Sequence, residues 1–251
     1  MTVRADLYPP RSPDPPAPPI MRQRWTAVTY LHWPVPTEAI ARLLPPGLDV
    51  DTHEGQAWVG LVPFVMRDVA ARVGPPLPWL SHFCETNVRT YVVGPRGPGV
   101  WFCSLDAARL LPVATALTAF RLPYRWARMA AARRGDELRF WTRRRWPGPR
   151  GARSLVGVRE GERVEPDALD RFHTNRWALY TVDRAGRLLH LPVDHDAWPL
   201  RAGTLTHLRD DLVEAAGIPR PTTPPRVRVG GDVRVVAGRP RVVAGGTRSL
   251  A

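Results

Sequence analysis

The segment SHFCETNVRTYVV (residues 81–93) is the most informative part of the chain. β-Branched and aromatic residues dominate it, and the turn sequence GPRGPG follows at 94–99, so it predicts a strand that enters a hairpin. Alternate residues of a strand face the same side. One face therefore carries four polar side chains, those of Glu85, Asn87, Arg89 and Tyr91.

A polar row of this kind has two interpretations. It is either the solvated outer face of a sheet or the lining of a closed barrel that holds a ligand. Along a straight strand Glu85 and Arg89 would stand about 13 Å apart, because each residue rises about 3.3 Å. In a barrel they would flank a small bound molecule rather than pair with each other.

The rest of the chain alternates in the manner of a β protein. Short helices are predicted at 37–44, 106–120 and 207–216 from capping residues and Gly or Pro stops. Further strands are predicted at 25–33, 48–51, 56–66, 100–104, 126–133, 138–144, 153–159, 176–182, 187–193, 226–229 and 233–236. Many short strands with few helices favour an α+β, mainly β class, built as an antiparallel barrel or curled sheet.

The 251 residues are enough to bury a large core, and no fixed-period repeat divides them. Residues 1–20 contain seven prolines and are predicted to form a disordered arm. Residues 21–243 are expected to form one domain, and residues 244–251 a flexible C-terminal tail.

The net charge is +13, and arginine supplies all of the positive charge, since all 36 basic residues are arginine and the chain contains no lysine. Chemistry that needs a lysine Schiff base is therefore excluded. Residues 121–145 hold nine arginines, and Trp126, Trp141 and Trp146 lie among or beside them. Arginines with aromatic residues are typical of single-stranded nucleic-acid binding, but a hairpin with a solvated arginine face gives the same pattern.

No export or membrane signal is apparent. The longest apolar run, 110–120, has eleven residues and is too short to span a bilayer. We therefore expect a cytoplasmic protein. Mirror pairing about the hairpin turn places Cys103 opposite Thr90 rather than Cys84, so no disulfide is predicted.

Motifs for metals and cofactors are weak. None of the seven histidines forms a His-x-x-x-His pair, and the cluster at 194–196 (Asp-His-Asp) fits either metal ligands or a solvated loop. No nucleophile elbow, phosphate loop or dinucleotide fingerprint occurs. We predict neither a metal nor a cofactor.

Several segments, in order and spacing, resemble the YqjF-like branch of the acetoacetate decarboxylase-like superfamily, a domain family of unknown function. They are LHWPVP (31–36), LLPPGLDVDTHEGQAWVGLVPFVM (43–66), FCETNVRTYV (83–92), GVWFCSLDAARLL (99–111), LPYRWARM (122–129), RFHTNRWALYT (171–181) and AWPL (197–200). The resemblance covers nearly all of residues 24–243. It implies a curved antiparallel β-barrel with a few helices packed outside and a pocket within.

The resemblance also carries a departure. The decarboxylases use a Pro-Lys-Lys motif whose first lysine forms the Schiff base, and its counterpart here is Pro123-Tyr124-Arg125. Tyrosine cannot form an imine, so decarboxylation through an iminium is not expected. Glu85 is similar in position to an acidic residue that faces the decarboxylase pocket.

The leading hypothesis is a protein that binds a small carboxylate- or carbonyl-bearing molecule in the barrel, and turnover of that molecule is left open. Any enzyme activity would be of lysine-independent lyase-like or acid-base type, with Glu85 as the catalytic residue. The ligand-binding candidates are Asn87, Arg89, Tyr124, Arg125, His32 and Trp101. The alternatives are an arginine-rich nucleic-acid-binding protein and a scaffold without ligand, and homo-oligomer formation stays open.

Overall fold

The computed structural model describes residues 7–76, 81–109 and 122–243. Within these ranges thirteen strands form one sheet, and three short helices lie between them. The strands are β1 Met21–Val35, β2 Asp49–Val50, β3 Ala57–Ala71, β4 Phe83–Gly94, β5 Gly97–Ala107, β6 Tyr124–Arg134, β7 Glu137–Trp146, β8 Arg153–Arg163, β9 Ala178–Val182, β10 Leu188–His195, β11 Arg201–Asp210, β12 Arg226–Ala237 and β13 Arg241–Val242. The helices are α1 Thr37–Ala41, α2 Ala168–Thr174 and α3 Leu212–Ala215.

The sheet closes on itself in two rings. One ring has nine strands, in the order β5-β6-β7-β8-β11-β12-β1-β3-β4, and the β4–β5 hairpin closes it. The other has seven, because β9 pairs with β5 and β10 pairs with both β9 and β12. Strands β12, β1, β3, β4 and β5 belong to both rings. The predicted curved antiparallel barrel is confirmed, with parallel pairing only where β5 meets β6 and β9 among the described strands.

The two ring interiors differ in chemistry. The nine-strand ring holds a continuous apolar cluster that includes Leu31, Leu61, Val88 and Phe140. The opposite face of β4 points into the seven-strand ring and carries the polar row that begins at Glu85. Because each face of β4 lies inside a ring, nearly the whole strand is buried. The barrel-lining interpretation of the polar row is therefore the one that the structure adopts.

Most predicted strands are present, and the departures have local causes. The predicted helix at 207–216 is wrong over its first half, because residues 207–210 pair with β8 as part of β11 and only α3 is helical. The two strands predicted at 226–229 and 233–236 are one strand, β12, which continues through Gly231 at a positive φ of 64°. Of the helix predicted at 106–120, Asp106 and Ala107 end β5, and residues 110–121 lie outside the described residues.

The N-terminal segment corrects the prediction of a disordered arm for residues 7–20. The Tyr8 side chain is 7% exposed, and its backbone carbonyl accepts a hydrogen bond from Asn175 Nδ2 at 3.1 Å. The carbonyl of Pro9 accepts another from Trp177 Nε1 at 3.0 Å. Proline lacks an N–H donor but keeps its carbonyl acceptor, so a proline-rich segment can bond to donors on the barrel.

The tail predicted at 244–251 lies outside the described residues. Among the helices that the structure describes, none is long and apolar enough to cross a membrane. The cytoplasmic location stays a prediction.

Both cysteines are free, as predicted. The residue opposite Thr90 is Trp101 rather than the predicted Cys103, because the β4–β5 turn is tighter than the mirror pairing assumed.

Candidate functional site

A cavity of about 160 Å³ lies inside the seven-strand ring. Four predicted site residues line it: Glu85, Asn87, Arg89 and Tyr124. Strand β4 supplies the first three from alternate positions, and their exposures are 3%, 1% and 6%. Tyr124 is the first residue of β6. It pairs with Leu105 of β5, and Leu105 pairs with Asn87 of β4, so Tyr124 lies on the cavity side of the sheet.

Arg89 is a buried guanidinium with no acidic partner among the described residues. Its Nη2 donates to the backbone carbonyl of His173 at 3.1 Å, and its Cζ lies 5.4 Å from the ring centre of Tyr30 and 5.6 Å from that of Tyr91. Among the described residues its Nε finds no acceptor, and no carboxylate forms an ion pair with it. A buried charge in this state is costly unless something else compensates it.

Glu85 is uncharged at neutral pH. Burial is the main cause that raises its pKa to about 8; the nearby charge of Asp106 adds to this, and the hydrogen bond from Tyr124 opposes it. That bond runs from the Tyr124 hydroxyl to Glu85 Oε2 at 3.1 Å. Glu85 therefore holds a proton that it can donate inside the cavity, rather than a negative charge for Arg89.

Arg176 is a second cavity guanidinium, which the sequence analysis missed. Its Nη1 forms a buried ion pair with Asp51 Oδ2 at 2.6 Å, and its Nε donates to the carbonyl of Phe172 at 2.6 Å. Its Nη2 has no acceptor among the described residues. The only signal in the sequence was its place in the resembling segment at 171–181, because α2 was not predicted.

His32 was a predicted site residue, but it does not line the cavity. Its ring stacks on that of His173 at 3.8 Å, and its Nε2 lies 2.5 Å from the Tyr91 hydroxyl. Burial, together with nearby arginines, lowers its pKa well below the ordinary range, so it is neutral. On the sheet it lies level with Gly60 and Arg89, and Arg89, not His32, reaches the cavity.

Trp101 and Arg125 also lie outside the cavity lining. Trp101 pairs with Thr90, so it occupies the face opposite to that of Arg89, and it packs near Val92. Arg125 pairs with Asp106, whose side chain points into the nine-strand ring to meet Arg144 at 2.6 Å. The adjacent Tyr124 takes the cavity side for the same reason, because neighbouring residues of a strand face opposite ways.

Sequence reasoning also did not find several other lining residues, among them His195, Tyr30, Trp25 and Trp198. In the cluster at 194–196, His195 Nδ1 donates to the backbone carbonyl of Asp196 at 2.8 Å. Within the described ranges no three His, Cys, Asp or Glu side chains come together as metal ligands.

Comparison with known proteins places this geometry in a family. A family model described as an uncharacterized conserved protein, DUF2071, matches residues 22–233. The uncharacterized protein YqjF of Bacillus subtilis (strain 168) is 34% identical over 207 residues, which cover 82% of this chain and 85% of YqjF. The chain belongs to the DUF2071 family. The resemblance drawn from the sequence is confirmed.

Solved structures show how the DUF2071 chain relates to other barrels. The enduracididine biosynthesis enzyme MppR, complexed with pyruvate, superimposes with a TM-score of 0.60 at 17% identity and covers 92% of each chain. An acetoacetate decarboxylase from Legionella pneumophila gives 0.61 at 13% identity, with 89% of this chain and 88% of the enzyme covered. An acetoacetate decarboxylase-like enzyme from Sphingomonas wittichii RW1 gives 0.63 at 9% identity, with 90% and 94% covered. At these identities the likeness establishes the fold.

Proposed function

We propose that this protein binds a small organic molecule with a carboxylate group in the cavity of the seven-strand ring, and that Arg89 holds the carboxylate. One observation carries the proposal: Arg89 is 6% exposed, faces the cavity and has no acidic partner among the described residues. A carboxylate would accept charge-assisted hydrogen bonds from it and neutralise it.

The buried carboxylates nearby are already committed. Asp51 pairs with Arg176, Asp106 pairs with Arg144, and Glu85 is protonated at neutral pH. Among the described residues these carboxylates leave no negative charge for Arg89, and a ligand carboxylate would supply one. Arg176 lines the same cavity, and its Nη2 has no acceptor among the described residues, so it offers a ligand carboxylate a second donor.

The relatives give this ligand class independent support. MppR has been solved in complex with pyruvate, a small acid with a carboxylate and a ketone. Transfer of that binding to this chain is part of the proposal, since the two chains share the fold at 17% identity. Pyruvate is accordingly the first probe to use.

We further propose Glu85 as an acid-base group. With a pKa of about 8 it is protonated at neutral pH, so it can donate a proton to a ligand carbonyl oxygen, and the carboxylate left behind can take a proton back. The chain contains no lysine, so this chemistry proceeds without an imine on a side chain.

Isothermal titration of pyruvate into the wild type and Arg89→Gln tests the proposal. The variant should bind at least about tenfold more weakly, because it loses a charge-assisted hydrogen bond. Arg143→Gln is the matched control, since Arg143 is exposed on the outer face of β7. Equal affinity in all three proteins, or no binding by pyruvate, acetate or phenylacetate, would refute the proposed function.

A further inference from the structure

An aromatic wall leads away from Arg89 along the cavity. The Arg89 guanidinium lies 5.4 Å from the ring centre of Tyr30, and Tyr30 meets Trp198 edge to face at 5.4 Å. Trp198 in turn lies 6.1 Å from Trp25. All four residues line the cavity, so the wall begins at a positive charge and ends at an indole.

The sheet register confirms that the two ends are separate. On β3, Gly60 lies opposite Arg89, whereas Met66 lies opposite Trp25. Six residues along β3 separate these two levels of the sheet. The cavity therefore has a cationic end and an indole end, and Leu105 and Phe102 add apolar surface to its lining.

Two donors at the indole end have no partners. The Nε1 atoms of Trp25 and Trp198 are both buried, and neither finds an acceptor among the described residues. Buried indole N–H groups usually bond to an acceptor, so two unpartnered ones on residues that line one cavity favour a ligand that carries an acceptor.

We infer that the ligand is an aromatic carboxylic acid with a hydrogen-bond acceptor on its ring, remote from the carboxylate. This rests on the proposed function, since Arg89 holds the carboxylate. The ring lies on the wall of Tyr30 and Trp198, where offset or edge-to-face contacts are favourable. The acceptor accepts a hydrogen bond from the indole Nε1 of Trp25, of Trp198 or of both.

Three acids measured by calorimetry separate the parts of this inference. Acetate has the carboxylate alone, 4-ethylphenylacetate adds the ring, and 4-methoxyphenylacetate has nearly the same shape with an ether acceptor. We expect the ethyl compound to bind at least about tenfold more tightly than acetate, because it buries an aromatic ring. The methoxy compound should gain a further several-fold, as one neutral hydrogen bond provides.

The variants Trp25→Phe and Trp198→Phe, alone and combined, keep the aromatic surface and remove the N–H donors. In the combined variant the preference for methoxy over ethyl should disappear, while the preference for ethyl over acetate stays. Equal binding of all three acids by the wild type, or a methoxy preference that survives both substitutions, would overturn the inference. In either case the proposed function would still hold if Arg89→Gln bound the acids more weakly than the wild type does. If Arg89→Gln bound them as tightly as the wild type, the proposed function itself would be refuted.

Discussion

The hydroxyl of Tyr8 lies 3.0 and 2.9 Å from the two carboxylate oxygens of Asp51, to which it donates. Asp51 is also the partner of Arg176, whose guanidinium Cζ lies 4.5 Å from the centre of the Tyr8 ring. The N-terminal segment is thus bonded to the ion pair that positions one of the two cavity arginines.

Replacement of Tyr8 by Phe should lower the free energy of unfolding by about 1–3 kcal/mol, because a buried carboxylate loses a hydrogen-bond donor. Denaturant unfolding measures this change. Leu7→Ala serves as the control, since Leu7 is 44% exposed and should change stability by less than about 0.5 kcal/mol. Deletion of residues 1–20 should cost at least as much as the Phe variant. An unchanged unfolding midpoint after the deletion would mean that the segment is detached in solution.

Glu85 should make stability depend on pH. Its pKa is about 8 in the folded protein and ordinarily 4.5, so between these values the folded state holds the proton that the unfolded chain releases. The stabilisation is fully present below pH 4.5 and is lost as the pH rises towards 8. The variant Glu85→Gln keeps the shape of the side chain but has no carboxyl group that titrates. The difference in unfolding free energy between wild type and variant should therefore shift by up to about 1.4 kcal/mol per pH unit in this window.

The control for this titration is Glu162→Gln at an exposed carboxylate. Its unfolding free energy should follow that of the wild type at every pH. Because Glu85 bonds to Tyr124 and not to Arg89, Glu85→Gln leaves no charge unpaired, and at pH 8 we expect it to fold at least as stably as the wild type. Parallel pH curves for wild type and Glu85→Gln would show that Glu85 is not protonated in the folded state.

The same substitution should cost much more stability at Arg176 than at Arg89. Arg176→Met leaves Asp51 buried without its ion-pair partner and should cost about 3–5 kcal/mol. Arg89→Met removes a charge that has no acidic partner and should change stability by less than about 1 kcal/mol, since the lost hydrogen bond is offset by relief of the buried charge. Chemical denaturation without ligand compares the two. A large loss for Arg89→Met would indicate an internal partner for Arg89.

Reduction with borohydride in the presence of pyruvate should trap no adduct on a side chain, because the chain contains no lysine. Intact-mass analysis followed by peptide mapping checks this. The α-amino group is the one primary amine, so a chain blocked at the N terminus serves as the control. A reduced adduct on an internal residue would contradict the imine-free chemistry proposed here.

The polar row of β4 was predictable because strand alternation is local. Glu85, Asn87 and Arg89 needed only the strand to be recognised, and the structure brings all three to the cavity. Trp101 lies outside the cavity lining because the side that it faces depends on the register of the hairpin, which pairs it with Thr90. The register rests on turn geometry, which the composition of GPRGPG does not specify uniquely.

The missed residues depend on contacts between distant segments. Arg176 follows α2 and Trp198 precedes β11, and both reach the cavity only because β9 and β10 close the seven-strand ring. His195 gave a signal, as part of a polar cluster, but nothing in that cluster indicated the stacking of its ring on Trp177 at 4.3 Å. Ring closure is set by pairings such as that of β10 with β12, which no local pattern encodes.

Because β4 belongs to both rings, the proposed ligand site and the core of the other ring can be varied separately on one strand. Changes at 85, 87 and 89 alter the chemistry offered to the ligand, while changes at 86, 88 and 90 act on the other ring interior. A gene library randomised at the odd positions alone would therefore explore new ligands on an intact scaffold. The same separation gives natural selection a route to diverge the binding preference of relatives without first rebuilding their core.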